Sequence, residues 1–467
     1  MYEKGRDLAA AFVRKQVSRR ELIQRASQLG LGVAATSFFV NQAMTQAIAA
    51  DFDWQKHKGT NLKLLLNKHP YADAMIADLD NFKSMTGMNV TYDIFPEDVY
   101  FDKVTAALSS GSSEYDAFMT GAYMTWTYGP AGWIEDLNEY IQDAGRTNPN
   151  YNWDDVLPGL RASTAWDGVP GSELGSADAK QWCIPWGYEL NNISYNQKMF
   201  EKAGVKPPTT WDELVEVGDT LKAKDPKMIT FPVAGDSEYG VYPFIWGNDG
   251  DIAQQDGDSW TSTIDSPEAQ EGITFYTDLA KKHGFSSPAA TTWDEADLSD
   301  AFSRGDVAMM IAGSWTPGAL TEANPDLEGK IGAFPIPGPD GGVSPSFLGG
   351  SHLSVFETAE NKDLAWALVK LMSTGDLAQE WSQQSGFFPG TETLLNEVQE
   401  ADDPVVAPFA TQMVEGGASL PVTPLYGQVQ GKKTVAAMLQ SILSGDSSVA
   451  DASAQAAQEM DEIFSRG

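Results

Sequence analysis

The strongest constraint on the fold is a regular alternation of strand and helix patterns near the start of the chain. Three apolar strand patterns alternate with two helical patterns, in the order 62–66, 72–86, 90–92, 101–108 and 116–119. Gly87 follows the first helical pattern and is placed to end that helix as a C-cap. Strands separated by helices form parallel sheets with helices on their faces, so the sequence predicts an α/β fold.

The same alternation predicts where a ligand binds. In open α/β sheets, ligands bind at the carboxyl ends of the strands. The first strand pattern is followed by residues 67–69, and the third by residues 120–126. We therefore expect polar and aromatic residues of these two segments to lie at the ligand-binding edge.

A second constraint is the stretch WCIPWGYELNNISYN at residues 182–196. Its apolar, aromatic and β-favourable residues predict a strand through Tyr188. Polar Glu189, Asn191 and Asn192 interrupt that strand before it resumes. A strand that turns polar halfway changes its surroundings halfway, and we interpret Glu189 as a residue that holds a polar ligand.

Later segments carry helix and strand signals of their own. Thr210 is placed to cap a helix, with Glu213 reaching back to it in a capping box. Ser266, followed by proline, opens another helix. A small apolar strand pattern at residues 307–311 leads into Gly-Ser-Trp, which ends at Trp315. Residues 146–181 are rich in Gly, Asn, Pro and Asp and are predicted to be irregular.

Length and composition indicate a globular protein with more than one domain. At 467 residues, the chain exceeds the size of one ordinary core, and two or three domains are expected. Hydrophobic residues make up 42% and charged residues 21%, which is typical of globular proteins. The chain is rich in aromatic residues, with Trp 14, Tyr 15 and Phe 21. Sugar-binding proteins share this richness, although core packing accounts for most such rings.

The first fifty residues differ from the rest and predict export. Arg19 and Arg20 precede an apolar run at residues 29–40, and Ala47 and Ala49 have the spacing of a signal-peptidase site. The paired arginines are typical of a twin-arginine signal, which gives a signal peptide at residues 1–50 with cleavage near Ala49. The apolar run is shorter than the roughly 20 residues that span a bilayer. The sequence therefore predicts a periplasmic protein.

Net charge and cysteine content exclude several classes of function. The formal net charge is −34, which disfavours nucleic acid and anionic membrane surfaces as partners. Cys183 is the only cysteine, so no intramolecular disulfide forms. Because Cys183 lies among Trp182, Ile184 and Pro185, we expect an inert buried thiol; the alternative is a reactive cysteine.

Sequence motifs for catalysis or metal binding are missing. The four histidines are well separated, and the chain has no H-E-x-x-H, C-x-x-C, G-x-S-x-G or Walker A pattern. Asp249 and Asp251 could ligate calcium, but the other ligands of an EF-hand loop are missing, which favours a polar turn. A glycosidase needs only two carboxylates at a suitable separation, and many are available here. No cofactor is implied.

Three segments resemble a known family. The run IPWGYE at 184–189, with YNQKMFEKAGVKPPTTWDEL at 195–214, is similar to the most specific run of the sugar-binding proteins of ABC importers, the family that includes maltose-binding protein. The run FSRGDVAMMIAGSW at 302–315 is similar to a second motif of that family. The glycine pair at 349–350, followed by DLAW at 363–366, resembles its late signature. Together these similarities extend along nearly all of residues 60–467.

The resemblance implies a two-lobed periplasmic-binding-protein fold with a cleft and a hinge of several crossing segments. Lobe one is then expected at residues 60–189 and 352–390, and lobe two at 190–351 and 391–467. On this reading the chain first crosses between the lobes near Glu189. Closure of the lobes on a solute is expected to follow binding.

The resemblance also carries over candidate ligand-binding residues. Glu189 matches a glutamate of the cleft, Trp315 a tryptophan that stacks on sugar, and Lys68 a polar residue after the first strand. Further aromatic residues fall in segments that line the cleft in the family and that we predict to be loops: Tyr123, Trp126, Tyr242, Trp246 and Tyr426. The alternatives are core packing for Trp315, a solvated or ion-paired carboxylate for Glu189, and core or surface positions for the others.

The function that this resemblance implies is a monomeric, non-enzymatic receptor that binds a sugar or polyol and delivers it to an ABC permease. A pyranose offers an apolar C–H face bounded by hydroxyls, which suits an aromatic plate beside hydrogen-bond acceptors. Two alternatives stay open. One is a secreted carbohydrate-active enzyme that uses paired carboxylates, and the other is a receptor of the same fold for a non-sugar solute.

Overall fold

The structure is a computed structural model that describes residues 53–466, except 54, 144–145, 148–150, 170–171, 258, 364, 367–368, 370–387, 394 and 397–404. The predicted signal peptide at 1–50 and most of the segment 363–372 lie outside the described residues. The described residues form two compact units. The first comprises residues 53–119, 133–156 and 353–369, and the second comprises 120–132, 157–352 and 388–466. The lobes expected from the resemblance are defined differently, as the parts of the chain that move together on closure. Their boundaries therefore stay a prediction.

The first unit is built on a parallel sheet, as the alternation of patterns predicts. Strand β1 (Asn61–Asn67) pairs in parallel with β2 (Asn89–Phe95) and with β3 (Ala117–Thr120). Helices α1 (Pro70–Thr86) and α2 (Glu97–Ser109) connect these strands. The leucines of β1 are at most 1% exposed, so this strand forms the centre of the core. The order of elements and the parallel direction are confirmed.

Local signals explain why α1 begins and ends where it does. Proline stands at the first helical position, where a missing N–H costs nothing. Gly87 ends the helix in the left-handed region with φ +70°, and its N–H donates to the carbonyl of Lys83. The predicted C-cap is confirmed. The first unit also contains a short helix, α4 (Asn138–Gln142), and a 3₁₀ turn at Trp153–Asp155.

The second unit contains a three-stranded antiparallel sheet. Strand β7 (Asn191–Asn196) lies between β10 (Met309–Gly313) and β11 (Ile331–Phe334). The strand predicted at residues 307–311 is thus displaced by two residues. Ile193 on one face of β7 belongs to the larger apolar cluster of the unit, and Met310 and Ala312 of β10 to a smaller one. Both faces of this sheet are therefore covered.

The stretch at residues 182–196 forms two strands that almost touch in sequence. Strand β6 (Ile184–Glu189) ends at Glu189, and β7 begins at Asn191. The predicted interruption at Glu189, Asn191 and Asn192 is wrong, because only Leu190 separates the strands. Asn192 lies opposite Ala312 in the ladder and is fully buried, so strand pairing outweighs the weak strand preference of asparagine.

The segment 146–181 is more regular than its composition predicts. It contains α5 (Pro158–Ser163) and an antiparallel ribbon of β4 (Ala165–Trp166) and β5 (Lys180–Gln181). The Nε2 of Gln181 donates to the hydroxyl of Thr164 at 2.6 Å and to the carbonyl of Cys183 at 2.7 Å. These buried side-chain hydrogen bonds hold the ribbon, and the prediction of an irregular segment is wrong here.

The remaining elements of the second unit are mostly helices. In chain order they are α3 (Ala122–Tyr128), α6 (Gln197–Ala203), α7 (Trp211–Lys224), α8 (Tyr242–Gly247), α9 (Pro267–Lys281), α10 (Glu295–Ser303), α11 (Thr316–Ala323), α12 (Val406–Glu415), α13 (Tyr426–Gly431), α14 (Thr434–Ser444) and α15 (Val449–Phe464). Turns of 3₁₀ helix occur at Glu238–Gly240, Pro288–Thr292 and Pro325–Leu327. The short strands are β8 (Ala253–Asp256), β9 (Ser259–Ser262), β12 (Ser346–Phe347), β14 (Phe388–Pro389) and β15 (Gly417–Ala418). A longer strand, β13 (Gly349–Val355), passes from the second unit into the first.

Two predicted helix starts are observed, one with a difference. Ser266 caps α9 by accepting from the N–H of Ala269 at 3.2 Å. Thr210 caps α7 by accepting from the N–H of Glu213 at 3.1 Å. Glu213 reaches back to the N–H and hydroxyl of Thr209, at 2.7 and 2.8 Å, one residue before the expected partner. Among the described residues, no helix is long and apolar enough to cross a membrane.

Candidate functional site

The pairing of β7 with β10 brings Glu189 and Trp315 to the same end of one sheet. Asn191, at the start of β7, lies directly opposite Gly313, at the end of β10. Glu189 stands two residues before Asn191, and Trp315 stands two residues after Gly313. Both side chains are half-buried. The pairing of β7 with β10 therefore brings Glu189 and Trp315 to the same end of the sheet, although they are 126 positions apart in sequence.

Gly313 determines where the indole of Trp315 lies. A Cβ atom at Gly313 would stand 2.7 Å from the Nε1 of Trp315, which is closer than such atoms approach in proteins. The indole therefore folds back over the strand end, in space that only glycine leaves open. Trp315 also precedes α11 directly, so its backbone is fixed by the first turn of that helix.

Trp315 lines a pocket of about 440 Å³, part of which is open to solvent. The pocket is bordered by the end of β10, by α10 and by residues near Gly240. Its polar lining comes from six side chains besides the tryptophan: Asn191, Ser237, Tyr276, Glu295, Ser299 and Thr316. Among the described residues, this lining includes one carboxylate and no lysine or arginine. Such a surface suits a neutral polar molecule better than an anion.

Strand β12 brings another aromatic residue to the same place. The hydroxyl of Ser346 accepts from the N–H of Asn191 at 3.0 Å, which ties β12 to the start of β7. A Cβ atom at Gly349 would lie 2.9 Å from the Cε1 of Phe347 and 3.6 Å from the Cγ of Glu189. The edge of the Phe347 ring and the stem of Glu189 therefore both pack against Gly349.

Phe347 packs on Tyr239, which comes from a third segment. Their rings are stacked, with centroids 5.2 Å apart and planes at 23°. The Nε2 of Gln430 donates to the hydroxyl of Tyr239 at 3.3 Å and to Glu238 at 3.0 Å. Both rings are half-buried, so each keeps a surface available to solvent.

Two buried tyrosines form a hydrogen-bonded pair behind Tyr239. The hydroxyls of Tyr242 and Tyr426 are 3.0 Å apart, and the two residues are at most 1% exposed. Burial raises the pKa of both phenols well above its usual value. Burial also raises the pKa of Glu238, against the lowering effect of hydrogen bonds from Gln430 and Tyr242. Either hydroxyl of the tyrosine pair can be the donor.

Trp246 completes this group from the end of α8. Its ring lies 5.2 Å from that of Tyr242, and its Nε1 donates to Asp251 at 3.0 Å. The structure corrects one expectation for the aromatic candidates. Tyr242 and Trp246 lie on α8, and Tyr426 is the first residue of α13, so these residues do not lie in loops.

Tyr123 and Trp126 likewise lie on a helix, α3, and not in a loop. Tyr123 is half-buried and folds back toward Gly121, where a Cβ would stand 2.7 Å from its ring. Trp126 is 3% exposed, and its indole N–H has no hydrogen-bond partner among the described residues. Their part in ligand binding stays a prediction.

Lys68 lies in the first unit, directly after β1. Its Nζ pairs with Asp73 at 2.7 Å, and both side chains are more than half exposed. An ion pair of this kind contributes at most about 1 kcal/mol to stability. The structure therefore shows an exposed ion pair at Lys68, and a ligand contact there stays a prediction.

The other candidates for chemistry are engaged or buried. Asp251 accepts from Trp246 and from the N–H of Ile252, and Asp249 has the positive φ of a tight turn. In the described part of the chain, no group of three or more His, Cys, Asp or Glu side chains could hold a metal ion. Cys183 is fully buried, as predicted, and burial raises the pKa of its thiol.

Sequence reasoning missed four residues of this group: Glu238, Tyr239, Phe347 and Gln430. Phe347 stands two positions before the glycine pair of the late signature, and Tyr239 stands three positions before a candidate, so proximity to those positions was the available signal. No sequence spacing links Gln430 to Glu238, because their contact depends on how α13 packs against the turn at 238–240.

Comparisons with known proteins identify the family and the fold class of this chain. The family described as bacterial extracellular solute-binding protein matches residues 67–376. The erythritol/L-threitol-binding protein of Mycolicibacterium smegmatis is 30% identical, over 92% of this chain and 94% of that protein. A solute-binding protein of an ABC transporter from Thermotoga lettingae TMO, solved with α-D-tagatose, has a TM-score of 0.74 at 25% identity and covers 87% of this chain and 100% of its own.

The fold also matches the maltose-bound MalE3 of T. maritima, with a TM-score of 0.74 at 21% identity over 87% of this chain and 100% of that one. These likenesses confirm the two-lobed periplasmic-binding-protein fold class that the sequence predicts. Members of the family are transport proteins that act outside the cytoplasm. This chain belongs to the family of bacterial extracellular solute-binding proteins.

Proposed function

We propose that this chain is a non-enzymatic receptor that binds a small sugar or polyol and delivers it to the permease of an ABC importer. The observation that carries the proposal is the register of β7 and β10, which brings the chain positions of Glu189 and Trp315 to the same end of one sheet. An aromatic face beside a charged acceptor is the combination that a polyhydroxylated carbon skeleton needs.

Relatives support the choice of ligand class. The relative from M. smegmatis carries the names of two tetritols, and the T. lettingae structure holds a ketohexose. The described lining of the pocket at Trp315 contains neutral polar groups and one carboxylate, which suit the hydroxyls of a polyol or monosaccharide. The proposal includes export through the twin-arginine signal at residues 1–50, cleavage near Ala49, and action as a monomer in the periplasm.

Calorimetry with the protein lacking residues 1–50 tests the function. The panel comprises erythritol, L-threitol, ribitol, D-tagatose and maltose. We expect at least one to bind with a dissociation constant well below a millimolar and to be recovered chemically unchanged. A panel in which no ligand binds at millimolar concentration contradicts the proposal, and a newly formed product favours a carbohydrate-active enzyme instead.

Replacing Trp315 tests the site. We expect Trp315→Ala to weaken binding by about 1–3 kcal/mol, because it removes a stacked aromatic face. Trp260→Ala is the matched control, since Trp260 is also half-buried in the second unit but packs near Phe464. Equal affinity of the Trp315 variant and the unaltered protein would assign Trp315 to packing only.

A further inference from the structure

We infer that Phe347 is a second aromatic contact surface for the ligand, beside Glu189. The inference rests on the proposed function and adds a specificity residue to the same site. The ring edge of Phe347 and the stem of Glu189 both lie against Gly349. An aromatic ring from a separate segment is thus close to the side chain of Glu189.

The backbone around Phe347 is held on both sides. The N–H of Ser346 donates to the carbonyl of Gly416 at 2.6 Å, and the N–H of Leu348 donates to that of Ala418 at 2.8 Å. The hydroxyl of Ser346 is bonded to Asn191. A ring on a fixed strand loses little freedom on binding, so its contact with a ligand is not offset by a large entropy cost.

The packing of the ring leaves one face for a ligand. Tyr239 stacks against Phe347 at 5.2 Å, and Gln430 fixes the hydroxyl of Tyr239. Phe347 is half-buried nonetheless, so Tyr239 covers only part of the ring. A phenyl ring has no polar atom and gains nothing from water on that exposed part. It is suited to the C–H surface of a polyol whose hydroxyls reach the neighbouring Glu189.

Gly349 lies against both Phe347 and Glu189. Any larger residue would place its Cβ 2.9 Å from the ring edge of Phe347 and 3.6 Å from the stem of Glu189. Because Gly349 has no side chain, the ring edge of Phe347 and the stem of Glu189 can both pack closely against it. A ligand bound by Glu189 would therefore lie close to the ring of Phe347.

The test combines affinity with a local probe. We expect Phe347→Leu to weaken binding of erythritol and D-tagatose by roughly three- to ten-fold, the range for loss of an aromatic contact. Phe275→Leu is the matched control, because Phe275 is also a half-buried ring stacked on a neighbour, Trp211 at 4.2 Å, among the core residues of the second unit. Its affinity should equal that of the unaltered protein.

A fluorine label separates contact from packing. With 4-fluorophenylalanine at position 347, we expect the fluorine resonance to shift on saturation with erythritol or D-tagatose, whereas the same label at position 275 should not shift. Unchanged affinity of Phe347→Leu, or weaker binding without a shift at position 347, would overturn the inference and leave the proposed function intact. Failure of the unaltered protein to bind any of the five ligands of the calorimetry panel would overturn both.

Discussion

Gly313 sets the position of the Trp315 indole, and this makes the glycine a sharper probe of the site than the tryptophan itself. A Cβ at Gly313 would lie 2.7 Å from the indole Nε1, at the far end of a side chain that can rotate away. We expect Gly313→Ala to leave the fold intact but to move the indole, so that ligand affinity falls by about 1–2 kcal/mol.

Gly318→Ala is the matched control for that substitution. Gly318 lies in α11, and a Cβ there would meet no atom within 4 Å. Alanine is favoured over glycine inside a helix, so the control should keep its affinity and gain stability. Tryptophan fluorescence and calorimetry measure the two effects. An unchanged affinity of Gly313→Ala would mean that the position of the indole is not set by the glycine.

Residue identities near family motifs could be predicted from the sequence, and side chains that meet through distant packing could not. Glu189 and Trp315 each stand at the end of a recognisable run, so they could be named and then found at one sheet end. Phe347 meets Tyr239 across more than one hundred positions. The aromatic candidates on α3, α8 and α13 were expected in loops, because short helices of aromatic and small residues carry little amphipathic periodicity.

At the scale of elements, β13 carries a buried histidine that links folding to pH. His352 is 3% exposed, and burial lowers its pKa to about 4, from an ordinary value near 6.5. His69, just before α1, is shifted the same way, to about 4. Below pH 6.5 the unfolded chain binds protons that the native state does not bind until about pH 4. Stability contributed by neutral imidazoles is therefore lost as the pH falls through this window.

We expect His352→Leu to reduce this loss. Between pH 6.5 and 5 one such histidine changes the free energy of unfolding by about 2 kcal/mol. Urea unfolding at pH 7.5 and pH 5.0 should therefore show a smaller decrease for the variant than for the unaltered protein. His283→Leu is the control, since that side chain is only half-buried. Asp116 and Glu238 have raised pKa values and act in the opposite direction, so the comparison is between variants.

The presence of helices and strands could be predicted more reliably than the residues at which they begin and end. The β-α-β alternation fixed the parallel sheet of the first unit, because apolar strands buried on both faces and capped helices leave strong local signals. The break expected around Glu189 is limited to Leu190 in the structure. The strand before Trp315 begins and ends two residues later than predicted. Strand ends depend on which neighbour supplies hydrogen bonds, and that partner is not visible in local composition.

At the scale of the whole molecule, the two compact units act as a receptor only if the chain reaches the side of the membrane where its solute is. The net charge of −34 keeps such a protein soluble but does not select a ligand. Arg19 and Arg20 precede the apolar run of the predicted signal, which is the arrangement that the twin-arginine pathway reads. We therefore expect residues 1–50 to direct export and the rest of the chain to bind the solute.

We expect replacement of both Arg19 and Arg20 by lysine to abolish export. Charge is preserved in this variant, so a loss reflects recognition of the arginine pair and not electrostatics. Arg25→Lys is the matched control, because it alters a neighbouring arginine outside the pair. Fractionation of cells into cytoplasm and exported protein provides the measurement. Continued export of the double variant through the general secretory pathway would assign the leader to that pathway, and the twin-arginine proposal would then be withdrawn without affecting the proposed receptor function.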